Sequence, residues 1–169
     1  MSFWRLYYHL VWSTKDRLPL ITPDIETSLI NYIIRKAAEA KSYILAINCV
    51  SDHIHQVVAI SPEISIAQYV KLVKGSSSHF VNYTIKPEFT FAWQRGYGIL
   101  SMGEKQLQIA LDYVNQQKEH HANQTTKTWL ERSVEENDGP KPPGTYSTNR
   151  PKRIHEESGI YTDGSELPF

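Results

Sequence analysis

"SYILAINCVSDHIHQVVAI" (residues 42–60) decides how this chain folds. Two apolar runs rich in β-branched residues, 42–50 and 53–60, flank Ser51 and Asp52, which suit a tight turn, so the stretch reads as a β-hairpin. Side chains of a strand alternate between faces. His53, His55, Val57 and Ala59 therefore share one face, and Ile54, Gln56, Val58 and Ile60 share the other. Two imidazoles spaced this way stand roughly 6–7 Å apart, close enough to reach one ion or one phosphate between them. Residue pattern alone leaves two readings open. Each ring is half-buried and bonded to a neighbour, or the pair is a ligand or catalytic set that offsets the desolvation of placing two rings together.

Working outward, "FWRLYYHLVWST" (3–14) is aromatic and β-branched and reads as a long strand. "TPDIETSLINYIIRKAAEAK" opens with Thr22, Pro23 and acids in the first turn, and repeats apolar groups at Ile25, Leu29, Ile33 and Ala37. That pattern predicts an amphipathic helix. Beyond the hairpin, Ile66, Val70, Val73 and Phe80 mark a second helix over about 65–83, and "YGIL" marks a short strand. "SMGEKQLQIALDYVNQQKEHH" (101–121) holds Ser101 and Glu104 in capping-box spacing and predicts a third helix starting there. The order β-α-β-β-α-β predicts an α+β, ferredoxin-like (RRM-like) fold: one antiparallel sheet with two helices on one face, plus an additional C-terminal helix. Ile54, Val58 and Ile60 would face the two helices, leaving His53 and His55 on an open face.

With 169 residues, 40% hydrophobic, the chain can bury one core. Residues 1–124 are read as one globular domain and 125–169 as a Pro/Gly/charge-rich arm, because five of the nine prolines follow Gly139 and apolar residues thin out. No apolar run approaches the ~20 residues of a bilayer span and no secretory leader is visible, so a cytoplasmic location is expected. Cys49 is the only cysteine, which excludes an intrachain disulfide or thiolate cluster, and any metal must use nitrogen and oxygen ligands. A net charge of zero argues against gripping nucleic acid by bulk charge. Residues 1–125 nevertheless carry 12 Lys+Arg against 10 Asp+Glu, a small positive excess.

On the third helix, Leu107, Leu111 and Val114 centre the apolar stripe, and Tyr113 and Gln117 lie together on its flank as i and i+4 neighbours. Taken alone, Tyr113 is an ordinary interfacial tyrosine. "VSDHIHQVVAI", "YVKLVKGSSSHFVN", "FAWQRGYGI" and "YVNQQKEHH", in this order and at these separations, resemble the single-tyrosine transposases of bacterial insertion sequences, relatives of the REP-associated tyrosine transposases within the histidine-hydrophobe-histidine (HUH) endonucleases. The resemblance spans about residues 3–122. It implies a transposase that cuts and rejoins single-stranded DNA at hairpins through a 5′-phosphotyrosine linkage, as a homodimer, with Mg²⁺ or Mn²⁺. Residue by residue it implies Tyr113 as nucleophile and His53, His55 and Gln117 as metal ligands. Two neutral imidazoles and an amide make an uncharged site, so little tight metal binding is expected without DNA phosphate.

A phenol with pKa near 10 needs its proton removed as it attacks; Lys118, His120 and His121 lie nearby in sequence, and none is singled out. With the resemblance, Lys71, Lys74 and Ser76 are expected on DNA phosphates, and Arg95, with Trp93 and Gln94, on extruded bases. Gly96, Gly98 and Gly103 flank the last strand and predict a connection able to swing the tyrosine helix onto a partner's sheet, giving a composite site. Two alternatives stay in view. A domesticated relative would still nick DNA without moving an element, and a non-catalytic RRM-like binder would use the same sheet face, although histidines stand where stacking aromatics belong. A hydrolase built on an H-x-H pair in a larger barrel needs about 250 residues and is excluded by length.

Overall fold

The computed structural model describes residues 3–131 and residue 133. Four strands form one antiparallel sheet: β1 (Tyr7–Ser13), β2 (Tyr43–Cys49), β3 (His53–Ala59) and β4 (Gly98–Met102), in the order β2-β3-β1-β4. The helices are α1 (Pro23–Glu39), α2 (Ile66–Phe80), α3 (Glu104–Asn115), α4 (Gln117–Ala122) and α5 (Thr128–Glu131). This is the expected α+β, ferredoxin-like arrangement, and the split β-α-β topology places the hairpin strand β3 between β1 and β2.

Alternation along the strands sorts two cores. Leu10, Trp12, Cys49, Ile54, Val58 and Ile60 pack under α1, through Ile25, Leu29, Ile33 and Ala37, and under α2, through Tyr69, Val70 and Val73. Pro23 opens α1 behind Thr22, and Ser65 caps α2 by accepting from the Gln68 backbone N–H while Gln68 Oε1 accepts from the Ser65 N–H. On the opposite face, Ala110 and Val114 of α3 pack on Ala46 and Val57.

That second core corrects the expectation of an open sheet face. The apolar stripe of α3 needs a surface to cover, and its own sheet supplies one, so all seven residues of β3 are buried. The start of α3 also differs. Ser101 extends β4, whose register pairs it with Tyr8, and the helix opens behind Gly103, where Gln106 Oε1 accepts from the Gly103 N–H at 3.1 Å. The predicted single helix 101–121 is broken at Gln116 (φ −95°, ψ 14°), so Tyr113 lies in the last turn of α3 and Gln117 begins α4. α5 (Thr128–Glu131), expected in the arm, packs beside this domain, with Leu130 buried. The rest of the predicted arm, apart from Ser133, lies outside the described residues. Among the described residues no helix is long and apolar enough to cross a membrane.

Candidate active site

β3 brings the two imidazoles together as its alternation dictates, with ring centroids 5.1 Å apart. Each ring is fixed through Nδ1. His53 Nδ1 lies 2.6 Å from Asp52 Oδ1, and an ionised carboxylate only accepts, so the proton sits on Nδ1 and Nε2 is left facing the site. His55 Nδ1 lies 2.9 Å from Nε2 of His9, a buried residue of β1 on the same sheet face. Both Nε2 atoms therefore point the same way.

They point at Glu131. Its Oε2 is 3.1 Å from His53 Nε2 and 3.1 Å from His55 Nε2, and 3.5 Å from His121 Nε2. Its Oε1 accepts a short hydrogen bond from the Tyr113 hydroxyl and another from Gln117 Nε2 at 3.1 Å. The Lys127 backbone N–H donates to the Tyr113 oxygen at 3.1 Å, and the His120 ring stacks on the phenol at 4.7 Å. Gln117 Nε2 is also 3.4 Å from His53 Nε2, and His121 Nε2 is 3.1 Å from the same atom.

Charge within this cluster follows from burial and partners. Burial alone would raise the Glu131 carboxyl, but hydrogen bonds from His53 and His55 outweigh it and hold Glu131 well below the ordinary carboxylate range. His53 is likewise disfavoured as a cation by burial, and Asp52 and Glu131 more than reverse that, so its pKa is raised. Burial lowers His55, against the pull of Glu131. His9 is pushed down to about 3 by burial, then by the neighbouring His55, and stays neutral. Burial and the bond to Glu131 raise the Tyr113 phenol, which is therefore protonated and a hydrogen-bond donor at neutral pH.

The donor set suits a divalent cation. One ligand atom from each of His53, His55 and Glu131 lies within 4.8 Å of the others. Gln117 Oε1 is buried with no hydrogen-bond partner, and a flip of this amide exchanges its oxygen with the nitrogen now facing His53 and Glu131.

Of the residues singled out in the sequence, His53, His55, Tyr113 and Gln117 converge within one chain. Tyr113 stands over His55, with ring centroids 6.2 Å apart. Lys71, Lys74, Ser76 and Arg95 do not join the cluster. Lys71 and Arg95 are exposed. Lys74 Nζ donates to the carbonyls of Gln94 at 2.8 Å and Gly96 at 2.5 Å, so its ammonium holds the loop that carries Arg95, and burial lowers its pKa to about 8. Ser76 Oγ donates back to Val73 O at 3.4 Å. Lys118 turns away to Glu26. Sequence reasoning missed Glu131, Asp52 and His9; of these, His9 was reachable, because it shares a strand face with Tyr7 and Val11 in β1 as His53 does with His55.

The family profile described as "Transposase IS200 like" matches residues 2–117, which include both histidines, Tyr113 and Gln117. The chain belongs to the IS200-like transposase family. The transposase is 30% identical over 122 residues to the transposase for insertion sequence element IS200 of Salmonella typhimurium, covering 69% of this chain and 79% of that protein. It is 26% identical over 119 residues to the ISDra2 transposase TnpA of Deinococcus radiodurans, covering 68% of this chain and 85% of that one. Its fold is similar to two solved structures. One is the REP-associated tyrosine transposase bound to a REP hairpin, with a TM-score of 0.56 and 14% identity, covering 76% of each chain. The other is a candidate transposase of Deinococcus radiodurans, with a TM-score of 0.54 and 20% identity, covering 75% of this chain and 95% of that one.

Proposed function

We propose that this transposase cleaves and rejoins single-stranded DNA beside a hairpin by transesterification, with Tyr113 as nucleophile and His53, His55 and Gln117 as ligands of Mg²⁺ or Mn²⁺. The convergence of one tyrosine hydroxyl, two outward Nε2 atoms and one amide within a few ångströms carries this reading. Tyr113 Oη attacks the phosphorus, the bond to the 3′-oxygen breaks, and a 5′-phosphotyrosine forms. The leaving 3′-oxygen takes up a proton, and a second 3′-hydroxyl reverses the step and joins new ends without a nucleotide cofactor. The divalent cation, when bound, polarises the phosphoryl oxygens and offsets charge on the displaced oxygen. Glu131 Oε1 accepts the phenolic hydrogen bond and so orients the hydroxyl for attack, and the proton the phenol gives up balances the one taken by the leaving 3′-oxygen.

Asp52 and His9 hold the imidazoles with Nε2 forward, and Lys127 N–H aims the phenolic oxygen. Lys71 and Ser76 lie along α2 and are proposed to meet backbone phosphates, and Arg95, on the loop stapled by Lys74, to meet bases or backbone. DNA hairpins are the proposed substrate, supported by the fold neighbour bound to a REP hairpin. A homodimer in the cytoplasm would pair two complete sites, one for each DNA end. Incubation with hairpin-bearing single-stranded DNA and Mn²⁺ should give a covalent protein–DNA band that Tyr113→Phe and EDTA each remove. A full-strength band in the Tyr113→Phe protein would reassign the nucleophile.

A further inference from the structure

The ligand set above leaves one buried charge unexplained. Glu131 enters from α5, outside the residues 2–117 that match the family profile, and touches each of the four residues proposed for catalysis. A carboxylate at 16% side-chain exposure is costly without partners. Here its partners are two imidazole Nε2 atoms, a phenol and an amide, gathered on one side of the sheet.

We propose that Glu131 is an additional ligand, which lets the protein take up its divalent cation before DNA arrives. Two neutral imidazoles and an amide carry no charge to balance a hard, strongly hydrated dication. A carboxylate oxygen equidistant from both Nε2 atoms supplies a negative, hard donor at their centre. The second oxygen remains with Tyr113, so one carboxylate spans the metal position and the nucleophile. His53 and His55 are already turned ligand-forward by Asp52 and His9, and the unpartnered Gln117 Oε1 adds a further oxygen on amide rotation. This replaces the expectation of a site too weak to fill without DNA phosphate.

The inference rests on the metal reading of the proposed function, and the test separates the two. Mn²⁺ is titrated into the full-length protein without DNA, following loss of the free-ion signal by electron paramagnetic resonance. Wild type is expected to bind one equivalent, Glu131→Gln about tenfold or more weakly, and His53→Ala not measurably. The Gln variant keeps the shape of the side chain and is checked for cooperative melting in EDTA; Glu131→Ala serves as a second variant with the same expectation. An affinity for both Glu131 variants within about twofold of wild type, with His53→Ala still defective, would overturn the role of Glu131 and leave the histidine site standing. Uptake by wild type only when hairpin DNA is present would also overturn it. Absence of Mn²⁺ uptake with DNA present would instead remove the metal reading itself.

Discussion

A one-to-one mixture of Tyr113→Phe and His53→Ala chains tests whether each protein cuts with its own tyrosine. To lend α3 to a partner, a chain must lift Ala110 and Val114 away from Ala46 and Val57, part Tyr113 from His55, and break the bonds of Tyr113 and Gln117 to Glu131. Burying a valine-sized side chain contributes about 1.5–3 kcal/mol and each hydrogen bond about 1 kcal/mol, so release costs on the order of 5 kcal/mol. At about 1.4 kcal/mol per tenfold, roughly one chain in several thousand is open at any moment. A symmetric exchange within the proposed homodimer would rebuild these contacts, but only after both chains have opened. Mixed chains, assayed on labelled hairpin DNA with Mn²⁺, are therefore expected to give no more covalent adduct than either variant alone. Shared composite sites would instead restore about a quarter of the wild-type yield, since random pairing makes about half the dimers mixed, each with one intact site of two. A yield near that quarter, with mixed dimers confirmed by differential tagging, would refute the within-chain site.

Two further expectations concern the groups behind the histidines. Asp52→Asn puts an amide, able to donate, where only an acceptor now stands beside His53 Nδ1; Mn²⁺ affinity is expected to fall about 10- to 100-fold, and an unchanged titration would show that the carboxylate does not set the tautomer. His9 has a folded pKa of about 3 against 6.5 for the free ring, so the unfolded chain takes up a proton that the folded one refuses between those values. Its contribution is intact above pH 6.5 and is lost as pH falls toward 3, by at most about 1.4 kcal/mol per unit. Urea unfolding in EDTA at several pH values should show a shallower acid loss for His9→Gln than for wild type, and equal slopes would contradict the neutral buried ring.

The hairpin and the helices under it were legible because their information is periodic: alternation put His53 and His55 together, and the spacing of Ile25, Leu29, Ile33 and Ala37 marked α1. The stripe on α3 announced burial without saying against which surface, since an apolar face is satisfied equally by its own sheet or a partner's. Gln116 breaks the helix with neither glycine nor proline to signal it. Lys74 looked like a phosphate contact in a run of lysines and hydroxyls, but the carbonyls that capture it are 20 and 22 residues away. Glu131 was the least visible of all. It belongs to a four-residue turn of helix beside a polar, proline-rich stretch, and only the fold reveals that this turn returns to the histidines.

The sheet order also sets a schedule for the growing polypeptide. β1 has two neighbours, and one of them, β4, emerges about 90 residues after it, so this pairing of long sequence separation forms late. α3 and then Glu131 follow later still. A nascent chain that has released β3 thus displays both histidines with neither the tyrosine nor the carboxylate in hand. The tyrosine and the carboxylate thus arrive on a scaffold whose central hairpin has already been made.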